Sequence, residues 1–350
     1  MPTLSRLRTP LRVSKYAACA VLMLLTTIGF AQRKPSTLRQ IAILDLPGKP
    51  GFDAVVFANG HLVMAHQGAD TVDIFEPTKR RLVAQVNNVA DPRGIVVDDA
   101  NARIYIAAAG SNSIVVISSR DWQVQGVIGL AHAPESLLLL PQGRELAVTM
   151  PLARAVALVP TSSMVQKDAE RVSVAVGGRP QKMAWDPQKN VVYVTVEETA
   201  EIVAVNPVSG EVAGRMKLAA SQPTGLVFAA NARQLFVAVR YAVLQIDADN
   251  GQEISRLPAP PGTTTLWLEP DSNTLFAAAG DGYVQLINVG AGRLTAQEEM
   301  VSSVRGNGLA YDPTNRLLFL PGGREGKSKL VILKQFGTPA APAAVSAQKR

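Results

Sequence analysis

Three charged residues at related positions of a repeated phrase are the first candidates for chemistry. Arg93 stands between Pro92 and Gly94, and Glu135 and Lys182 occupy the equivalent position or the one after it in the next two repeats. A carboxylate beside a cationic group can polarise a carbonyl group and transfer a proton. Because consecutive repeats lie side by side, the three residues are predicted to form one charged patch. Charged residues at such a rim can also remain solvated or pair with one another, without any chemistry.

The three histidines are the next candidates. His66 and His132 fall in predicted loops on the same face as the charged patch, whereas His61 falls on the opposite face. Histidine titrates near neutral pH, and a nearby carboxylate could orient its ring for acid–base work. Taken singly, each histidine is expected to be a surface loop residue. The sequence contains no His-x-His or His-x-x-x-His spacing, so the histidines predict no metal site.

The predicted ligand-binding face combines the loop that enters each inner strand with the loop between the second and third strands of each repeat. Binding residues often lie on such loops of a rigid scaffold. The carboxylates of Asp53 and Glu135 could hold calcium, but Arg93 and Lys182 beside them oppose a divalent cation, and no metal is predicted. The candidates for this face are Asp53, His66, Arg93, His132, Glu135, Lys182, Arg240, Asn307 and Arg324.

The remaining motifs predict no cofactor. Three tryptophans are too few for the repeated tryptophan pattern that would dock a quinone cofactor. The Gly-rich stretch "PGGREGK" at 321–327 lacks the Gly-Lys-Ser/Thr spacing of a phosphate-binding loop and the helix that would follow it. Asp98, Asp186 and Asp312 end predicted inner strands and are interpreted as Asx-turn residues rather than ligands.

The elements that would position these candidates are short repeated strands. Apolar runs such as "ARIYIA", "KNVVYV" and "RQLFVA" occur seven times, at intervals of 42, 42, 46, 43, 40 and 43 residues. A period of about 40–45 residues with several strands in each repeat is typical of a β-propeller blade. The best-formed repeat predicts strands at 94–98, 104–108, 114–118 and 123–130. No helical periodicity is evident after the N-terminal segment, so the predicted fold class is all-β.

The strand count predicts how the ring closes. Seven inner strands are present, but the last repeat ends at 329–335 without an outer strand, and a spare strand at 39–47 precedes the first inner strand. Pairing these two segments closes the ring and leaves no unpaired blade between the termini. The prediction is therefore a seven-bladed β-propeller, closed by an N-terminal strand that pairs with the C-terminal blade.

One repeat reads Pro-x-Gly, then an apolar run ending in Asp, then a turn and a second apolar run, and residues 192–195 read Val-Tyr-Val-Thr. This pattern resembles the YVTN β-propeller repeat of the periplasmic YncE-like family over nearly the whole chain after the N-terminal segment. The resemblance implies the propeller fold. It implies little about activity, because the shared residues form strands and turns. Relatives in that family have been linked to DNA binding.

The N-terminal residues predict export. Residues 1–16 carry four basic residues and no acid, residues 17–28 are an apolar stretch, and small residues end at Ala31. This layout is typical of a secretory signal peptide. We therefore expect a signal peptide at 1–31, a short linker at 32–38, the propeller at 39–336 and a disordered Ala/Pro-rich tail at 337–350. A periplasmic or secreted location follows, with no membrane span after cleavage. An uncleaved N-terminal anchor is the alternative.

The net charge and the cysteine count limit which classes of partner and which chemistry are expected. The formal charge of +7 falls to −1 for the folded body, because eight basic residues lie in the signal and in the two tails. A nearly neutral body without a groove of basic and aromatic residues makes nucleic acid a possible but not a favoured partner. The single cysteine, Cys19, lies within the predicted signal, which excludes disulfides and cysteine nucleophiles from the exported chain.

Three functional hypotheses remain. The first is a monomeric binding or scaffold protein that presents one loop-rich face to a periplasmic or extracellular protein or polymer. The second is a hydrolase similar to the seven-bladed lactonases, in which Arg93 and Glu135 act on a lactone with help from His66 or His132. The third is the DNA-binding role that the family resemblance implies. The sequence favours the first, because no ordered catalytic set is evident.

Overall fold

The computed structural model describes residues 37–336, apart from 165, 167, 270 and 307. Seven antiparallel sheets of four strands each form the blades of a β-propeller, as predicted. Blades 1 to 3 contain β2 (Val55–Ala58), β3 (His61–His66), β4 (Thr71–Glu76), β5 (Arg81–Val86), β6 (Pro92–Asp98), β7 (Arg103–Ala108), β8 (Ser113–Ser118), β9 (Val124–Gly129), β10 (Leu137–Leu139), β11 (Glu145–Met150), β12 (Ala155–Pro160) and β13 (Val172–Ala175).

Blades 4 to 6 are built in the same way. They contain β14 (Pro180–Asp186), β15 (Val191–Val196), β16 (Glu201–Asn206), β17 (Glu211–Lys217), β18 (Leu226–Ala229), β19 (Gln234–Val239), β20 (Ala242–Asp247), β21 (Glu253–Pro258), β22 (Thr263–Glu269), β23 (Thr274–Ala279), β24 (Tyr283–Val289) and β25 (Leu294–Val301). Blade 7 contains β26 (Ala310–Asp312), β27 (Leu317–Arg324), β28 (Lys327–Gln335) and, as its outer strand, β1 (Leu38–Asp45).

Short turns complete the regular structure. Six single-turn 3-10 helices join strands at Gln67–Ala69, Asp99–Asn101, Ala109–Ser111, Pro141–Gly143, Pro151–Ala153 and Ala230–Ala232. Within the described residues, no helix is both long and apolar enough to cross a membrane. The predicted signal peptide at 1–31 and the predicted tail at 337–350 lie outside the described residues.

We call the face at which the inner strands begin the upper face, and the opposite one the lower face.

Burial explains why these residues form strands. The middle strands are buried on both faces: all six residues of β15, "VVYVTV", are buried, and the apolar β-branched residues suit a strand sandwiched between two sheets. The outer strand β17, "EVAGRMK", is mostly exposed because it borders solvent, and only Val212 and Met216 are half-buried. The core is accordingly divided into seven apolar clusters, each lying between two consecutive blades.

The ring closes as the strand count predicts. Strand β1 pairs antiparallel with β28 from Leu38 opposite Gln335 to Asp45 opposite Lys329, with one irregularity between Gln40 and Ala42. The strand therefore begins one residue before the predicted boundary. The first and last strands of the described chain lie in one sheet, which closes the ring between blade 7 and blade 1.

The predicted Asx turns are present at the lower ends of the inner strands. The carboxylates of Asp98 and Asp312 accept hydrogen bonds from backbone amides two or three residues later. The carboxylate of Asp186 does the same, and it also joins blades 4 and 5, because it accepts from Arg233 Nη1 at 2.7 Å. Hydrogen bonds from Arg233 and Lys189 lower the pKa of Asp249, next to this pair, to about 2. The turn residues therefore also contribute to blade packing.

His66 is the main correction to the sequence prediction. It is fully buried at the end of β3 instead of lying in a surface loop. Its Nδ1 is 2.8 Å from Asp73 Oδ2 and its Nε2 is 2.8 Å from the carbonyl oxygen of Lys49. The carbonyl oxygen of Lys49 can only accept, so Nε2 donates to it, and the carboxylate of Asp73 engages Nδ1. The segment between β1 and β2 covers the ring, and Phe52 stacks on it at 4.0 Å between centroids.

We expect His66→Ala to destabilise the propeller by about 3–5 kcal/mol. It removes the side chain that pairs with Oδ2 of the buried Asp73, which keeps donors only on Oδ1, and it releases the segment that leads from β1 into blade 1. Guanidinium unfolding followed by tryptophan fluorescence measures the effect. His61→Ala is the matched control: this half-exposed ring touches the edge of Trp122, and its loss should cost about 1 kcal/mol or less. Equal midpoints for the two variants would contradict the assignment of a structural role to His66.

Candidate binding site at the channel mouth

The upper ends of the inner strands surround a central channel. Residues from all seven blades line it, and its volume is about 250 Å³. The position after the variable residue of the Pro-x-Gly phrase faces this space in every blade. These residues are Asp53, Gly94, Ser136, Lys182, Gly225, Thr265 and Gly308. We refer to this ring, together with Arg93 and Glu135, as the channel mouth.

The glycines of the repeated phrase let neighbouring blades approach closely at the mouth. The amide of Gly94 donates to the carbonyl oxygen of Glu135 in the next blade at 2.9 Å. A Cβ atom on Gly94 would lie 2.8 Å from that oxygen, and one on Gly308 would lie 2.8 Å from the carbonyl oxygen of Asp53. These distances are shorter than carbon–oxygen contact allows. Glycine is therefore needed where the chain of one blade runs against the next.

Gly94→Ala should destabilise the protein by about 1–3 kcal/mol, because the new methyl group forces the backbones of blades 2 and 3 apart. Denaturant unfolding gives the value. Gly214→Ala is the control, since a Cβ atom there meets no other atom within 4 Å, and replacing a strand glycine removes conformational entropy from the unfolded chain. A loss of stability in the control as large as in Gly94→Ala would refute the steric explanation.

The structure brings Arg93, Glu135 and Lys182 to one mouth, as the spacing predicts. Arg93 donates two hydrogen bonds to Asp91, at 2.9 and 3.1 Å, and its Nη1 is 3.5 Å from Glu135 Oε2. Lys182 Nζ lies 3.8 Å from Asp53 Oδ1. Asp53 precedes β2 of blade 1 and Lys182 is on β14 of blade 4, so this second pair spans the channel. The charged patch is thus a network around the axis rather than a row along one side.

The charged side chains of the channel mouth are partly buried. The side chains of Asp53, Glu135 and Lys182 are 18%, 22% and 29% exposed. Burial raises the pKa of the Glu135 carboxyl above its usual range, and Asp53 raises it further, whereas Lys182 and Arg93 oppose the rise. Because folding raises this pKa, the contribution of Glu135 to stability is greatest below its unfolded pKa and is lost as pH increases through the folded one.

The titration of Glu135 should respond to its neighbours in opposite directions. Lys182→Gln removes a positive charge that favours the carboxylate, so the pKa of Glu135 should rise, while Asp53→Asn removes a repelling negative charge and should lower it. NMR of protein labelled at the glutamate carboxyl carbons follows the titration. Lys79→Gln, on the lower face, should leave it unchanged. A shift of the same sign in both mouth variants would show that the two charges do not act on Glu135 directly.

His66 does not belong to the open site, although its neighbours look like a catalytic triad. Ser328 Oγ is 3.3 Å from Nε2, and Asp73 lies on the other side of the ring. However, Nε2 already donates to the carbonyl oxygen of Lys49, so it cannot accept a proton from the serine. Ser328 itself is 1% exposed and donates to the carbonyl oxygen of Gly48. His66, Asp73 and Ser328 therefore form a buried structural hydrogen-bond network, and Ser328 is not a nucleophile.

The other described candidates do not join this network. His132 is exposed in the loop before β10. The guanidinium group of Arg240 lies over the Tyr241 ring at 5.3 Å, and Arg324 pairs with Glu325. Asn307 lies outside the described residues. Their role in ligand binding stays a prediction.

Several residues of this face were missed by the sequence analysis. Asp91 was not singled out, although it makes the shortest contacts of Arg93. Leu152 is 83% exposed on the upper face, in the turn between β11 and β12. An apolar residue at the tip of a two-strand turn, where polar residues are usual, was the signal that could have identified it. Trp267 packs on Tyr311, and it also lines the channel.

Comparisons with known proteins support the fold alone. No protein-family model matches the chain, and no curated protein matches its sequence. Among solved structures, a chain of Kuenenia stuttgartiensis hydrazine synthase is 12% identical with a TM-score of 0.68, and the match covers 86% of this chain and 98% of that one. A chain from the crystal structure of a mitotic checkpoint complex is 11% identical with a TM-score of 0.71, covering 96% and 99%. At these identities the shared feature is the β-propeller, and the narrower resemblance to the YVTN-repeat family stays a prediction.

Proposed function

We propose that the chain is an exported binding protein, whose upper face docks a protein partner and which performs no chemistry on it. In this proposal residues 1–31 are removed as a signal peptide, and the propeller acts in the periplasm or outside the cell. The single observation that supports a protein partner is a pair of large apolar side chains left exposed on the upper face. Leu152 is 83% and Tyr241 59% exposed.

These two residues occupy equivalent turns of blades 3 and 5, between the second and third strands. An exposed leucine and tyrosine each gain roughly 1.5–3 kcal/mol when they are buried against a partner, and tyrosine is a frequent centre of interface binding energy. Single exposed apolar residues are ordinary on protein surfaces. What sets this pair apart is that both lie on the loop-rich face of a rigid scaffold.

Charged residues of blade 4 lie between the two. Glu198 pairs with Arg154 of blade 3 at 3.2 Å, and Arg179 lies 3.8 Å from the same carboxylate. Arg240 lies on the ring of Tyr241. Protein interfaces combine apolar anchors with polar and charged residues, and the charged residues help to select the partner.

The fold is consistent with this proposal. Propellers commonly serve as interaction scaffolds, and one of the similar structures is a chain of a mitotic checkpoint complex. Fold does not determine function, and it is the exposed side chains of Leu152 and Tyr241 that point to a protein partner. His66 cannot serve as the acid–base residue of the hydrolase hypothesis, because both of its ring nitrogens are already hydrogen-bonded within the protein. No specific contact favours the lactonase or DNA-binding alternatives, which stay predictions.

The test compares co-isolation of proteins with tagged full-length chain from its native cells. The double variant Leu152→Ala/Tyr241→Ala should lose about 10- to 100-fold in affinity for a protein that wild type retains, measured afterwards with the purified pair, because it removes two anchors. Val208→Ala, which is 76% exposed on the lower face, should keep that affinity. Melting temperatures within about a degree of wild type verify that all three proteins fold equally well.

The proposal fails if wild type retains no protein under these conditions. It also fails if the double variant retains the same protein with unchanged affinity, or if Val208→Ala loses it equally. Any of these results would remove the upper face as the docking surface.

A further inference from the structure

The channel mouth contains charged groups whose hydrogen-bonding capacity the protein leaves unused. Among the described residues, the carboxylates of Asp53 and Glu135 and the ammonium group of Lys182 make no side-chain hydrogen bond. Their nearest opposite charges are 3.8 Å away for Asp53 and Lys182, and 3.5 Å away for Glu135 and Arg93. Charged hydrogen bonds form at about 2.7–2.9 Å. These pairs are therefore attractive but loose.

Partial burial restricts the access of water to these charged groups. Each of the three side chains is less than a third exposed, and a charge withdrawn from water needs hydrogen-bonding partners. Arg93 differs, because Asp91 already holds it with two hydrogen bonds. The groups left to recognise a ligand are one cation, Lys182, and two carboxylates. They match a molecule that carries one negative and one positive charge close together.

Below this charged ring the channel is apolar. In six blades the residue that follows the mouth position is aliphatic and also lines the channel: Ile95, Leu137, Met183, Leu226, Leu266 and Leu309. The volume of about 250 Å³ is below the range of roughly 300–1,000 Å³ that holds drug-sized molecules. A ligand must therefore be small, with a charged end at the mouth and an apolar end toward the channel.

We propose that the channel mouth binds a small zwitterion with an apolar body, which is the chemistry of a free amino acid with an aliphatic or aromatic side chain. Lys182 binds the carboxylate, Asp53 and Glu135 bind the ammonium group, and the side chain enters the apolar ring. The ligand replaces the loose pair between Lys182 and Asp53 with two direct hydrogen-bonded pairs. Leu152 and Tyr241 do not line this site. A negative result for amino-acid binding therefore leaves the protein-docking proposal unaffected, and the reverse also holds.

Calorimetric titration of the full-length protein tests the charge requirement. The probes are leucine, isopentylamine (the same molecule without its carboxylate), 4-methylpentanoate (without its amine), and glycine (without the side chain). Leucine should bind at least about tenfold more tightly than each of the other three, since each lacks one of the recognised parts. The proposal is overturned if isopentylamine or 4-methylpentanoate binds as tightly as leucine, or if leucine and phenylalanine both give no binding heat at millimolar concentration.

Two variants separate recognition from folding. In Lys182→Gln the preference for leucine over isopentylamine should disappear, while in Asp53→Asn the preference over 4-methylpentanoate should fall. A general loss of stability would weaken all probes together and could not remove one preference alone. Lys79→Gln, an exposed lysine paired with Glu76 on the lower face, should keep both preferences. Unchanged preferences in the two mouth variants would overturn the assignment of the site.

Discussion

The packing of one blade against the next is the interaction on which the whole structure depends. No blade has a core of its own: each of the seven apolar clusters is shared by two neighbours. Six of the junctions connect blades that follow one another in sequence. The seventh joins residues from the two ends of the described chain, so it must be held by other means. Strand β1 supplies the outer strand of blade 7, and His66 holds the segment that leads from it into blade 1.

The same packing determines the shape of the candidate site. Glycines at the start of the inner strands let adjacent backbones approach to hydrogen-bonding distance, as between Gly94 and Glu135. The channel becomes narrow enough for Asp53 of blade 1 to reach Lys182 of blade 4. Close packing at the axis also excludes water, which raises the pKa of Glu135. The electrostatics of the mouth are therefore a consequence of how tightly the blades fit.

The sequence predicted the fold nearly completely, because a propeller repeats local signals. In the second blade, the predicted strand at 104–108 is observed at Arg103–Ala108, and the pairing of the first and last strands followed from counting. It also predicted that Arg93, Glu135 and Lys182 would meet, since equivalent repeat positions converge on the axis. The prediction for His66 was wrong because residues 46–50, which help to cover its ring, precede the first repeat. The pair of Asp53 with Lys182 depends on the channel's width, which no local pattern specifies.

A seven-fold repeat makes the origin of function easier to identify. Positions that serve the junctions must be similar in every blade, whereas several residues at the mouth differ in charge from blade to blade. Asp53 and Glu135 make blades 1 and 3 acidic, Lys182 makes blade 4 basic, and Thr264 and Thr265 make blade 6 neutral. Because the residues at these positions differ between repeats, negatively and positively charged side chains lie a few ångströms apart at the mouth. Under the proposed ligand binding, this asymmetry at the axis would let the scaffold discriminate ligands by the separation of their charges, which a symmetric ring could not do.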